Sequence, residues 1–203
     1  MRKILKLVFV CFVLGAMIWG YGVVKDRRVL HENLIRLHVV ANSDTEQDQQ
    51  LKLQVKDAVL QQLQQVMEKM PDMETAKQYL QTNLEKLEQI SNAALREAGS
   101  TERAVVTLAE ETFPTREYDT FSLPSGVYES LRITIGEGEG KNWWCVVFPR
   151  LCISATSQDM QDTAVSAGFS DELAGTLAGQ EEYRIRFFVL DCIGWIENFI
   201  HKG

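Results

Sequence analysis

LIRLHVVANSDTEQDQQLKLQVKDAVLQQLQQVMEKMP, residues 34–71, changes its hydrophobic period once, and that change decides the fold. Leu34 to Val40 alternate weakly and are rich in Val, Ile and Leu, which reads as a strand. Asn42, Ser43, Asp44 and Thr45 then crowd the junction, all of them types whose side chains accept from the unpaired first amides of a helix. Ser43 with Glu46, or Thr45 with Asp48, would complete a capping box. Beyond them Leu51, Val55, Ala58, Val59, Leu63, Val66 and Met70 recur at threes and fours, the buried stripe of a helix that Pro71 stops.

Working outward, Met73, Ala76, Leu80, Leu84, Leu87, Ala94 and Ala98 line one face of a second helix, with Gly99 placed as its C′ residue. Two long helices joined by a short turn make an αα-hairpin. Strands follow at about 103–110, 127–136 and 143–148, with Pro114 and the Leu123-Pro124-Ser125-Gly126 turn in the loop between the first two. A short helix is expected near 161–178, and the tail from Tyr183 to Ile200 alternates at first and then reads as helix. The order strand, two helices, three strands, helix predicts an α+β fold, with helices packed on a small mixed or antiparallel sheet.

The chain has 203 residues, enough for one well-buried domain over 31–203 after a leader at 1–30. Arg2, Lys3 and Lys6 precede an uncharged run from Leu7 to Val24, which Lys25, Asp26, Arg27 and Arg28 close. That is a signal peptide or a signal anchor: 18 residues just reach spanning length, and Gly20-Tyr21-Gly22 is the one late small-x-small site. Three of the 21 basic residues sit in the leader's start, so the remainder carries 18 basic against 28 acidic residues, a charge of −10. An ectodomain that acidic excludes nucleic acid, whose phosphates need a basic footprint. Export permits disulfides. Cys145 and Cys152 are the nearest pair, across a proline bend, with three buried thiols including Cys192 as the alternative. No Cys/His spacing suggests a metal, and no cofactor is expected.

Several segments invite chemistry. GEGEGK at 136–141 looks like a phosphate loop, but Gly136 and Gly140 are four apart where a Walker loop needs five, and Asn142 stands where Ser or Thr would hold magnesium. A flexible hairpin joining 131–135 to 143–148 is the better reading, and Glu137 and Glu139 make its tip a partner-contact surface. Trp143 and Trp144 must point to opposite sides of their strand; one is core and the other is core or an interface anchor. His38 with Ser43, or with Cys145, would be the catalytic set of a cell-envelope hydrolase, yet no nucleophile elbow or depressed thiol accompanies them. The outer face of the first helix, Gln47, Asp48, Gln49, Gln50, Lys52, Gln54 and Lys56, reads as solvated, or as a recognition surface that starts at the Asn42–Asp44 turn.

The strings Ile35-Arg36-Leu37-His38-Val39-Val40-Ala41-Asn42-Ser43-Asp44 with Asp48-Gln49, and Ile135-Gly136-Glu137-Gly138 through Asn142-Trp143-Trp144-Cys145, Phe148-Pro149 and Leu151-Cys152, resemble the stage II sporulation protein R family. The resemblance covers about residues 33–153 and departs from the family pattern at Arg150 and at Ser125-Gly126-Val127. It implies a signalling protein rather than an enzyme, exported from the forespore into the space between forespore and mother-cell membranes, either free or held by its leader. There it would activate a membrane-embedded aspartyl protease that processes the sigma factor E precursor. Asn42, Ser43, Asp44, Asp48, Gln49, Glu137, Glu139, Asn142, Trp143 and Trp144 are the expected partner-binding residues. A structural envelope protein is the remaining alternative.

Overall fold

A computed structural model describes residues 2–151, 156–180 and 184–201. Helix α1 runs over Arg2–Asn33 and leads directly into strand β1, Ile35–Val40; helices α2, Glu46–Met67, and α3, Met73–Glu97, follow as the αα-hairpin. Strand β2 is Ala104–Phe113, β3 and β4 are the two-residue pieces Arg116–Glu117 and Ser122–Leu123, and β5 and β6 are Gly126–Ile135 and Asn142–Phe148. Helices α4, Ser157–Ser166, α5, Asp171–Leu177, and α6, Arg184–His201, complete the described chain. The fold is α+β, as expected.

The main sheet has the order β2-β5-β1-β6, with β1 parallel to β5 and every other pair antiparallel. It is therefore mixed. All six residues of β1 are buried because helices cover both faces of the sheet. On one face Leu37 and Val39 of β1, Leu131 and Ile133 of β5, and Cys145 and Val147 of β6 pack on Val55, Val59 and Leu63 of α2 and Leu80, Leu87 and Leu95 of α3. On the other, Val146 and Tyr128 pack on Leu30 of α1, Met160 of α4, Leu173 of α5 and Leu190 of α6. Removing one such side chain, as in Leu37→Ala, costs about 2–5 kcal/mol by transfer and cavity terms.

Four expectations need correction. GEGEGK is not a hairpin between paired strands: β1 lies between β5 and β6, so residues 136–141 bridge over the end of β1. The helix expected at 161–178 is two, because Gly168 takes a positive φ of 93° after α4 and Ser170 caps α5 by accepting the Leu173 amide at 3.1 Å. The tail is helical from Arg184 onward, with no alternating strand-like start. The buried stripes rotate near the helix ends, so Met67 replaces Val66, and Ser91 and Leu95 join Ala94 on the core while Ala98 is exposed, since 3.6 residues per turn drifts against a fixed step of three or four. The hairpin itself forms as read, with Asp72 accepting the Thr75 amide at 2.7 Å to start α3 and Gly99 at φ 75° ending it.

The leader helix does not stop where the domain begins. Val23, Asp26, Arg27 and Leu30 are buried on the domain. Arg27 pairs with Glu197 of α6 and donates to the Tyr128 hydroxyl at 3.2 Å, while Arg186 of α6 donates to Asp26 at 2.6 Å. The apolar stretch before them is exposed over almost its whole length and apolar enough to cross a membrane. A cut after Gly22 would leave all of these domain contacts in place.

Candidate functional site

The turn at 41–49 and the bridge at 136–141 form a single platform at the carboxyl end of β1. Thr45 is the N-cap of α2, and its hydroxyl accepts the Asp48 amide at 3.3 Å. The Asp48 carboxylate does not close the box; it turns back to accept Ser43 Oγ at 2.6 Å and Asn42 Nδ2 at 3.1 Å. Those hydrogen bonds, Ser43 foremost, hold the Asp48 carboxyl below its ordinary range against a partial burial that works the other way. Gln49 donates to the Ser43 carbonyl at 2.9 Å, which ties the first turn of α2 to the segment before it.

The bridge is then bound to this turn almost amide by amide. The Glu137 amide donates to Asn42 Oδ1 at 3.0 Å, the Glu139 amide to the Asn42 carbonyl at 3.1 Å and the Gly140 amide to the Ala41 carbonyl at 2.9 Å. The Lys141 amide donates to Asp44 at 2.7 Å. Lys52, buried, donates to Gln49 Oε1 at 2.6 Å and to the Lys141 carbonyl at 3.0 Å, and burial depresses its ammonium pKa. So tight a fit explains the glycines. A Cβ at Gly140 would overlap the Ser43 carbonyl, and one at Gly136 would overlap the Asn42 side chain in a backbone already at φ 55°.

Of the expected partner-binding residues, then, Asn42, Ser43, Asp44, Asp48 and Gln49 are brought together, and their side chains hold the platform. Glu137, Glu139 and Asn142 remain exposed on it. Trp143 and Trp144 take opposite faces, each half-buried and each topped by a cation: Lys56 lies 5.2 Å from the Trp143 ring and Arg116 4.6 Å from the Trp144 ring. Lys52 and Lys56 are thus not part of a solvated face. The bond from Lys52 to the Lys141 carbonyl was not legible in the sequence, since nothing local signals a lysine that bonds a loop 89 residues away.

The hydrolase sets do not assemble. In the β1–β6 register Cys145 lies opposite Leu37 and faces α2 and α3, whereas His38 lies opposite Trp144 on the other side of the sheet. Ser43 Oγ donates to Asp48 and sits beyond the end of β1. Cys152 lies outside the described residues, so the expected pairing with Cys145 does too. Among the described residues no group of three or more His, Cys, Asp or Glu side chains is placed to hold a metal ion.

His38 belongs to a second polar cluster, inside the sheet's other face. Burial pulls its pKa down to about 4, opposed by Glu111, whose carboxylate lies 3.2 Å away, and assisted by Arg132 and Arg36. Arg36 is fully buried, with its guanidinium 4.0 Å from the Phe113 ring centre and 5.0 Å from that of Tyr128, and it donates to the Tyr118 hydroxyl at 3.2 Å. A cation so placed is held by ring quadrupoles, and the cluster ties β1 to Glu111 and Phe113 of β2 and to the Tyr118 loop.

A family model described as stage II sporulation protein R matches residues 31–158, which include the whole platform. Over 124 residues the chain is 36% identical to stage II sporulation protein R of Bacillus subtilis (strain 168), a match that covers 61% of this chain and 55% of that relative. The chain therefore spans about half the length of the curated relative it matches. No solved structure matches it.

Proposed function

Because the chain belongs to the stage II sporulation protein R family, and is in that sense a sporulation signalling protein, we propose that it is a ligand for a membrane-embedded aspartyl protease that processes the sigma factor E precursor. On this reading α1 takes the domain out of the forespore, and the domain acts in the space between the two membranes, anchored or released. The observation that carries it is the platform: inside the family-matched region the side chains of Asn42 and Asp44 in the 41–49 turn, and of Lys52 beyond it, are spent on holding the backbone of the 136–141 bridge. What turn and bridge leave outward is a fixed polar set, two acids, a lysine and an amide: Glu137, Glu139, Lys141 and Asn142.

A ligand switches a receptor only by binding its active state better than its inactive one. A preorganised platform suits that role, because less ordering cost is charged against the contacts it makes. The test is reconstitution of the full chain in vesicles with the protease and its precursor substrate. Precursor cleavage that depends on this protein supports the reading; cleavage at the same rate without it refutes the reading. A disulfide between Cys145 and Cys152 is proposed with it and is checked by non-reducing peptide mapping of the exported protein.

A further inference from the structure

Helix α6 keeps every polar side chain between Arg186 and Asn198 on its inward side or flanks. Asp191 accepts the Thr115 hydroxyl at 2.5 Å and the Ser125 amide at 2.7 Å, and Asn198 donates to the Phe113 carbonyl at 2.8 Å. Arg186 and Glu197 pair with Asp26 and Arg27 of α1. Leu190 and Gly194 are buried, and a Cβ at Gly194 would overlap the Ser125 carbonyl, so the helix lies directly on the domain. The face left outward is Ile185, Phe188, Cys192, Trp195 and Phe199, at steps of three and four, a single stripe without a charge. Its large side chains are 73%, 66%, 67% and 74% exposed, an unusual amount of contiguous apolar surface for a helix that is otherwise fixed in place.

The placement of α6 says what covers that stripe. Asp26 and Arg27 are neighbours on α1, yet their partners on α6 are eleven residues apart, about 16 Å along a helix axis, so α6 crosses α1 steeply. The crossing falls where the apolar run of α1 ends, at Val24. The inner face of α6 rests on the domain and α1 meets its flank at Asp26 and Arg27, so the exposed stripe belongs to the part of the domain that lies beside the end of the apolar run. We propose that this stripe is a second membrane contact, seated in the interfacial layer of the bilayer that α1 crosses. Trp195 and Phe199, stacked with ring centres 6.3 Å apart, would lie at the head-group boundary that such side chains favour, with Arg184 and His201 at the two ends beside lipid phosphates. Tethering by α1 makes the contact intramolecular in effect, so a modest apolar stripe suffices.

The inference rests on the reading of α1 as a membrane-crossing helix, and Trp19 within α1 provides its separate control. The full chain, as Trp19→Phe and as Trp195→Phe, is reconstituted in vesicles of phosphatidylcholine and phosphatidylglycerol, with plain or brominated acyl chains, and tryptophan emission is compared. The expected result is that brominated lipid quenches both the emission lost with Trp195 and the emission lost with Trp19. Quenching of Trp19 alone, with Trp195 open to aqueous iodide, overturns the stripe's membrane contact and leaves the anchor standing. Trp195 shielded from both quenchers means that a protein surface covers the stripe, which overturns it equally. Absence of lipid quenching at Trp19 removes the anchor and the inference together.

Discussion

Asn42 holds two loops at once: its Oδ1 accepts the Glu137 amide at 3.0 Å and its Nδ2 donates to the Asp48 carboxylate at 3.1 Å. The carboxamide supplies acceptor and donor together, where Asp lacks the donor and Ser lacks the length. Asn42→Ala should lower stability by about 1–2 kcal/mol, the worth of two partly exposed hydrogen bonds. Urea denaturation measures the loss, and amide exchange at Glu137 and Glu139 should quicken more than in β5. Unchanged exchange at those two amides would mean that the bridge is held by other bonds.

Gly140→Ala tests the same contact from the opposite side. The added methyl meets the Ser43 carbonyl, a backbone atom that cannot swing away, so a cost of about 1–3 kcal/mol is expected, as for overpacking. Thermal unfolding reads it. A variant as stable as the parent would show that the loops part easily.

Acid should destabilise the protein before its carboxylates titrate. His38 is held neutral by burial, with its pKa lowered from 6.5 to about 4, so the unfolded chain binds the extra proton between those values. Its contribution is complete above pH 6.5 and fades as pH falls towards 4, about 3 kcal/mol in all at 1.4 kcal/mol per pKa unit. Asp191, partly buried but held low by hydrogen bonds from Thr115 and Ser125, adds a loss of the same sign at lower pH. His38→Gln should flatten the pH 4 to 6.5 slope in denaturation midpoints; an unaltered slope assigns it to other groups.

Export through α1 is tested by Val10→Asp, Phe12→Asp and Leu14→Asp together, each charge costing about 2.5–3.5 kcal/mol at the centre of a span. The domain contacts begin at Val23, so the triple variant should fold yet stay in the cytoplasm, without signalling. Fractionation and protease accessibility from outside the cell report the location. Normal signalling by the retained variant would contradict the topology.

Local pattern carried the fold a long way. The period change at residues 41–45, the two helices and the opposite faces of Trp143 and Trp144 all follow from spacing, because caps and alternation act within a few residues. Insertion of β1 between β5 and β6 did not, since strand order is a non-local pairing, and without it GEGEGK reads as an ordinary hairpin. Asp26 and Arg27 read only as charges that close the apolar run for the same reason: the partners that neutralise them, Arg186 and Glu197, come 160 and 170 residues later. The candidate site was legible as a pair of odd strings. That their oddness is largely mutual, with Asn42 shaped to Gly136 and Ser43 to Gly140, needed the structure.

The most direct measurement is precursor cleavage in the vesicle assay with Glu137→Lys and Glu139→Lys combined. Both side chains are exposed and only their backbone amides bond the turn, so stability should stay within about 0.5 kcal/mol of the parent. The expected result is strongly weakened cleavage at an unchanged melting temperature. Full activity in that variant would contradict the claim that the platform is the surface the receptor reads.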